Sequence, residues 1–210
     1  MALYFRTLFF SVLMIVVIIL AAGCSERTLD LEMSETEIAV QSGEQLLHID
    51  DIPENISVDS DTEFGASARF TDAKSSAAGR WIAVTTVGVA HGAGWIFDVE
   101  TGEIIPAAFQ YGGSVSIGPW SDDSRYVVFI EEGPAPMHSL SIVDTESPGS
   151  TVGDTAHPIR VDAHSDAVPP ETTYTPIEWD GNRLIFTVNG SRYSYHTTTG
   201  EVNPEETEPS

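Results

Sequence analysis

Six histidines, His48, His91, His138, His157, His164 and His196, are the first places to look for a metal ion or a proton relay. Two imidazoles grip one ion from a helix when they stand in His-Glu-x-x-His, and no pair here has that spacing. His157 and His164 share a stretch with Asp154, Asp162 and Asp166. That is a metal-ligand composition without a ligand spacing, so solvated histidines among acids are expected, and no metal and no cofactor is assigned. Asp59-Ser60-Asp61-Thr62-Glu63 opens like a calcium loop, because alternating carboxylates can converge on one hard cation. Such a loop needs Gly at its sixth position and Glu at its twelfth. Phe64 and Phe70 stand there, so the segment reads as an exposed acidic turn. For acyl transfer, Ser114-Val115-Ser116-Ile117-Gly118 comes nearest to a Gly-x-Ser-x-Gly elbow, but Ser replaces the first Gly and no helical pattern follows. There is no GxGxxG and no phosphate loop. No catalytic residue is assigned.

The remaining nucleophile is the thiol of Cys24, the only cysteine. Arg6 precedes an uncharged apolar run from Leu8 to Ala22, which ends in Gly23-Cys24-Ser25. A positive start, an apolar middle and a small-residue end mark a secretory signal over residues 1–23. A spanning helix wants about 20 apolar residues, so an uncleaved span is the alternative. Leu20-Ala21-Ala22-Gly23-Cys24 resembles the bacterial lipobox, with Ala21 where that family usually has Leu. The resemblance implies diacylglyceryl transfer to the Cys24 thiol, cleavage before Cys24 and acylation of the new amine. One acyl chain binds a membrane marginally and further chains make the anchor stable, so the membrane is an expected partner. Ser25, where retained inner-membrane lipoproteins usually have Asp, implies the outer membrane of a Gram-negative cell. A lone cysteine leaves no disulfide framework.

Acidity bounds the partners further. Nine basic residues stand against 32 acidic ones, for a formal charge of -23, and Lys74 is the sole lysine. Such a surface repels nucleic acid and anionic headgroups. Self-repulsion of this size strains a compact state, and salt relieves it. A saline habitat and an ordinary acidic envelope protein account for the composition equally well.

The elements that must carry these residues read as strands and turns. Residues 24–45 are polar and acidic, a spacer behind the anchor, and residues 203–210 form an acidic, disordered tail. Between them, over residues 46–202, short runs rich in Val, Ile, Phe, Tyr and Trp alternate with Gly, Pro, Asp and Ser. The text repeats. Ser76-Ala77-Ala78-Gly79-Arg80-Trp81-Ile82 leads to Trp95-Ile96-Phe97-Asp98 and Thr101-Gly102-Glu103. Ser121-Asp122-Asp123-Ser124-Arg125-Tyr126-Val127 leads to Leu140-Ser141-Ile142-Val143-Asp144. Trp179-Asp180-Gly181-Asn182-Arg183-Leu184 leads to Tyr193-Ser194-Tyr195-His196 and Thr199-Gly200-Glu201. The copies, from residue 76 to residue 202, resemble the blades of TolB-like beta-propellers, carried best by Trp120-Ser121-Asp122-Asp123-Ser124-Arg125 and Asp98-Val99-Glu100-Thr101-Gly102-Glu103. The family's Pro is missing throughout. The resemblance implies an all-β fold of antiparallel propeller-like blades, with three clear copies. Residues 37–70 could supply a divergent fourth, with strands near Ile38–Val40, Leu46–Ile49 and Phe64–Phe70. A β-sandwich is the alternative. Thr145 to Pro176 reads as an insertion. Trp81, Trp95, Trp120 and Trp179 are expected to fill space between sheets, with Trp95 or Trp120 as candidates for a groove. Phe109-Gln110-Tyr111-Gly112-Gly113-Ser114, joining two copies, is a candidate piece of a binding rim.

The functional expectation is an anchored, non-catalytic envelope lipoprotein that binds a protein or other envelope component and no nucleic acid. The rival is an envelope hydrolase using carboxylates or a loop-bound metal.

Overall fold

The computed structural model describes residues 28–134, 138–161 and 172–205. Cys24, the segment before it, Asp162, His164, Asp166 and the last five residues lie outside the described part. Among the described residues, seventeen strands fall into five antiparallel sheets.

Three of these sheets have four strands each, laid side by side in chain order. Blade 1 is β6 (Ser67–Ser75), β7 (Trp81–Gly88), β8 (His91–Asp98) and β9 (Ile104–Tyr111). Blade 2 is β10 (Ser114–Trp120), β11 (Tyr126–Glu132), β12 (His138–Asp144) and β13 (Ala156–Ile159). Blade 3 is β14 (Tyr174–Asp180), β15 (Arg183–Val188), β16 (Ser191–His196) and β17 (Val202–Pro204). The three repeat copies thus supply the middle strands of three propeller-like blades.

Each middle strand has two faces, and burial shows what covers them. On β11, Val127 and Phe129 face blade 1 and pack on Trp81, Ala83, Ile96 and Ala108. Val128 on the opposite face joins Leu140 and Ile142 against Leu184 and Phe186 of blade 3. A strand covered on both sides reads as a continuous apolar run rather than an alternation. Each fully buried Phe or Ile in these seams contributes roughly 1.5–3 kcal/mol through surface removed from water.

Sheet edges invite unwanted pairing. Here the outermost strand of every blade carries a proline, Pro106 in β9, Pro158 in β13 and Pro204 in β17. The first strand of every blade is bulged: twice in β6, between Ile117 and Trp120 in β10, and between Pro176 and Glu178 in β14. Proline withholds a ladder donor and a bulge breaks the register, so both edges of each blade are poor templates for strand addition.

Four expectations need correction. The spacer of residues 24–45 is partly folded: β1 (Leu31–Met33), β2 (Glu37–Val40) and β3 (Gln45–His48) form a sheet, so the β domain extends back to Leu31 instead of starting at residue 46. β2 and β3 fall on the strands expected near Ile38–Val40 and Leu46–Ile49, and Ile38 is fully buried. The divergent fourth copy has no four-stranded blade. β1–β3 and the two-residue strands β4 (Ile56–Ser57) and β5 (Glu63–Phe64) supply Ile38, Leu47, Ile56 and Phe64 to cover the free face of blade 1, against Phe70, Val84, Trp95 and Phe97. Phe70 lies in β6, the first strand of blade 1, separate from Phe64. Half of the expected insertion belongs to blade 2. A short helix α1 (Val152–Thr155), capped by Thr151, leads straight into β13. Finally, Asn203 and Pro204 of the expected tail are paired in β17, because Val202 and Pro204 continue the alternation toward Tyr195 and Tyr193.

Candidate binding rim

The turns of the blades gather on two rims. On one rim, the turn between the first two strands of each blade places one residue in the left-handed region: Gly79, Ser124 and Gly181. Ser124 tolerates it while its hydroxyl accepts the Ala78 N–H of the neighbouring blade at 2.9 Å. The next residue in blades 1 and 2 is an arginine that reaches across to the end of the third strand. Arg80 donates to Asp98 at 2.9 Å, and Arg125 forks onto Asp144 at 3.0 and 2.7 Å. Burial pushes the Asp98 and Asp144 carboxyls up, but the arginine bonds and the N–H groups of Glu100 and Glu146 outweigh it and hold both below the ordinary range. Asp122 and Asp123 are turn residues here, with Asp123 accepting from the Ser121 hydroxyl at 2.6 Å. These carboxylates are spent on holding turns.

The opposite rim is different. Three turns converge there: residues 88–91 between β7 and β8, residues 111–114 between β9 and β10, and Glu132–Pro134 after β11. Gly112 donates to the Ala90 carbonyl at 2.7 Å. A side chain on Gly113 would lie 1.9 Å from the Glu132 carbonyl, so this close approach requires glycine. Val89 is fully exposed at the tip of the first turn, and Tyr111 is 59% exposed on the second. Beneath them Phe64 stacks on Phe109 at 4.4 Å and tilts toward Tyr111 at 5.7 Å. His91 joins the cluster, 5.3 Å from the Phe109 ring. Burial lowers its affinity for a proton. On the blade 2 side, Glu131 accepts from the Ser139 and Ser141 hydroxyls at 2.8 and 3.1 Å. Burial raises its carboxyl above the ordinary range despite those two bonds. His138 accepts the Tyr174 N–H at 3.0 Å and lies 3.4 Å from Glu132.

The other singled-out residues scatter. His48 caps a 3-10 turn over Ile49–Asp51, His157 is exposed on β13, and His196 ends β16. Asp59 accepts the Asp61 N–H at 2.9 Å, as an exposed acidic turn should. Among the described residues no three His, Cys, Asp or Glu stand close enough to share a metal ion. Trp81 and Trp95 are buried between sheets, and Trp179 stacks on Tyr126. Trp120 lines a groove. With Lys74, Gly118, Pro119, Ile130 and Pro176 it borders an open cleft of about 620 Å³ along the first strands of the three blades. The candidate segment Phe109–Ser114 does form rim, and the structure adds Val89, Phe64 and His91. Val89 had a signal, an apolar residue at a turn between two strands. Phe64 had none, because it reaches the rim from a separate sheet, and His91 was noted only as one of six histidines.

No family model matches the chain, and no curated protein matches it. Among solved structures it is similar to a prolyl endopeptidase, at 12% identity and a TM-score of 0.48, covering 81% of this chain and 26% of that one. It is also similar to TolB from Acinetobacter baumannii, at 17% identity and a TM-score of 0.42, covering 84% of this chain and 40% of that one. The chain therefore spans between a quarter and two fifths of the length of these structures.

Proposed function

We propose that this protein is a lipid-anchored envelope lipoprotein whose blades form a non-catalytic binding module, and that the rim around Val89 and Tyr111 is its docking face. One observation carries the docking face: a fully exposed Val89 and a largely exposed Tyr111 sit on turns that are hydrogen-bonded to each other and pinned by glycine contacts. Exposed apolar groups on a rigid frame lose little freedom when covered, which favours association. Bulged and proline-bearing edges steer recognition away from strand addition and toward such turns. The anchor is supported by the lipobox-like residues before Cys24. Among the described residues, no helix is long and apolar enough to cross a membrane.

Two measurements test the reading. Cys24→Ala should leave the protein unacylated by mass spectrometry and move it out of the detergent phase; unchanged partitioning removes the lipid anchor. Val89→Glu with Tyr111→Ala should leave the melting temperature unchanged while abolishing envelope cross-links made from this rim. Cross-links that survive the double variant place the docking face elsewhere.

A further inference from the structure

His91 is buried, 6% exposed, and its Nε2 is the one buried side-chain polar atom among the described residues that finds no hydrogen-bond partner. A buried polar atom without a partner costs roughly 1–3 kcal/mol and calls for a physical explanation. The imidazole is pressed against backbone. A methyl group on Gly88 would lie 2.3 Å from its Cε1 and 2.8 Å from Nε2. Phe109 covers one side of the ring, and Phe64, from the β4–β5 hairpin, closes it off at 6.2 Å. That hairpin pairs Ile56 with Phe64 and Ser57 with Glu63, and is closed by the Val58 N–H on the Thr62 carbonyl; a two-stranded sheet of this size has little stability of its own. Its far end is tied down where Gly153 donates to the Val58 carbonyl.

We infer that the β4–β5 hairpin is a pH-sensitive flap, closed over neutral His91 and released when His91 takes a proton. A proton on the imidazole needs a partner or water, and the described elements packed on the ring offer it no carboxylate. From β5 it meets Phe64, while Glu63 next door bonds the Ser57 hydroxyl. β9 contributes Phe109 and, opposite His91 in the ladder, Tyr111. β7 contributes Gly88. Arg69 on β6 has Glu35 as its nearest acid, 3.8 Å away. Opening the hairpin exchanges Phe64 for water, hydrates the imidazolium and bares Phe64 and Phe109 beside Val89 and Tyr111. Acid would thereby enlarge the apolar rim. This consequence rests on the docking-face reading; the flap itself does not.

The direction follows from burial, which lowers the His91 pKa from its ordinary 6.5. Closure is at full strength above that value and weakens as pH falls below it, with the opening equilibrium growing by up to tenfold per pH unit. Hydrogen exchange by mass spectrometry on the detergent-extracted full chain, normalised to intrinsic amide rates at each pH, reads this directly. Between pH 7.5 and 5, protection of residues 56–64 should fall, by up to about thirtyfold, while residues 138–144 stay constant. His91→Gln should flatten the response, and His91→Phe serves the same purpose if the glutamine variant misfolds. Protection of residues 56–64 that ignores pH, or that falls equally in both variants, overturns the flap. Neither result bears on whether cross-links form at the rim.

Discussion

Blades 2 and 3 are built from the same repeating text but face different surroundings. Blade 2 lies between two apolar seams, with Phe129 turned to blade 1 and Val128 to blade 3. Blade 3 offers blade 2 an equally apolar face of Leu184, Phe186, Val188, Tyr174 and Trp179. Its other face, read from the strand register, holds Glu178, Arg183, Thr187, Arg192, Ser194 and His196. Arg192 pairs with Glu178 at 3.3 Å and Arg183 with Glu205 at 3.6 Å, so long polar side chains lie over Ile185 and Ser194. Among the described residues no hydrophobic cluster forms on that side. Blade 3 thus turns a polar face outward, where blade 2 is apolar on both sides. The same contrast appears in the turns. Buried Asp98 and half-buried Asp144 of blades 1 and 2 become His196 in blade 3, which leaves the arginine-to-aspartate staple unmade.

Truncating the two kinds of face gives the largest expected difference. Phe129→Ala should cost about 4 kcal/mol in urea unfolding, since it empties a seam closed on both sides. Ile185→Ala should cost about 2 kcal/mol, because the flanking polar chains can settle into the space. Equal costs would mean that the outer face of blade 3 is as tightly covered as a seam. Asp98→Ala and Asp144→Ala come next, at about 2 kcal/mol each for the lost charge-assisted bonds. The matching His196→Ala should stay within about 0.5 kcal/mol.

Acid sharpens the same comparison. Both aspartates are held below the ordinary carboxylate value of 3.8. The stability they contribute is therefore complete above 3.8 and is lost as pH falls through their lowered folded values. The melting temperature of the native protein should drop steeply over that window and less steeply for Asp98→Asn. Smallest of all, removing the exposed Arg192–Glu178 pair should shift stability by less than about 0.5 kcal/mol, and by less still in 1 M salt.

Much of this was readable beforehand, and the reason differs from place to place. Trp81–Val84, Val127–Ile130 and Leu184–Phe186 announced themselves because β-branched and aromatic runs between turn residues have few other uses. β1 and β13 were hidden for a physical reason: three or four residues carry too few apolar positions to establish a period. The rim was half legible. Phe109–Ser114 combined aromatics with glycines at a turn, whereas the burial of His91 depends on Phe64 arriving from another sheet.

A photo-cross-linking side chain placed at Tyr111, at Val89 or at Thr187 on the outer face of blade 3, in cells that make the protein, tests the central claim most directly. The rim positions should give a discrete adduct with an envelope component, and Thr187 should give none. Adducts from Thr187 with silence at Tyr111 and Val89 would contradict the account and make the polar face of blade 3 the docking surface.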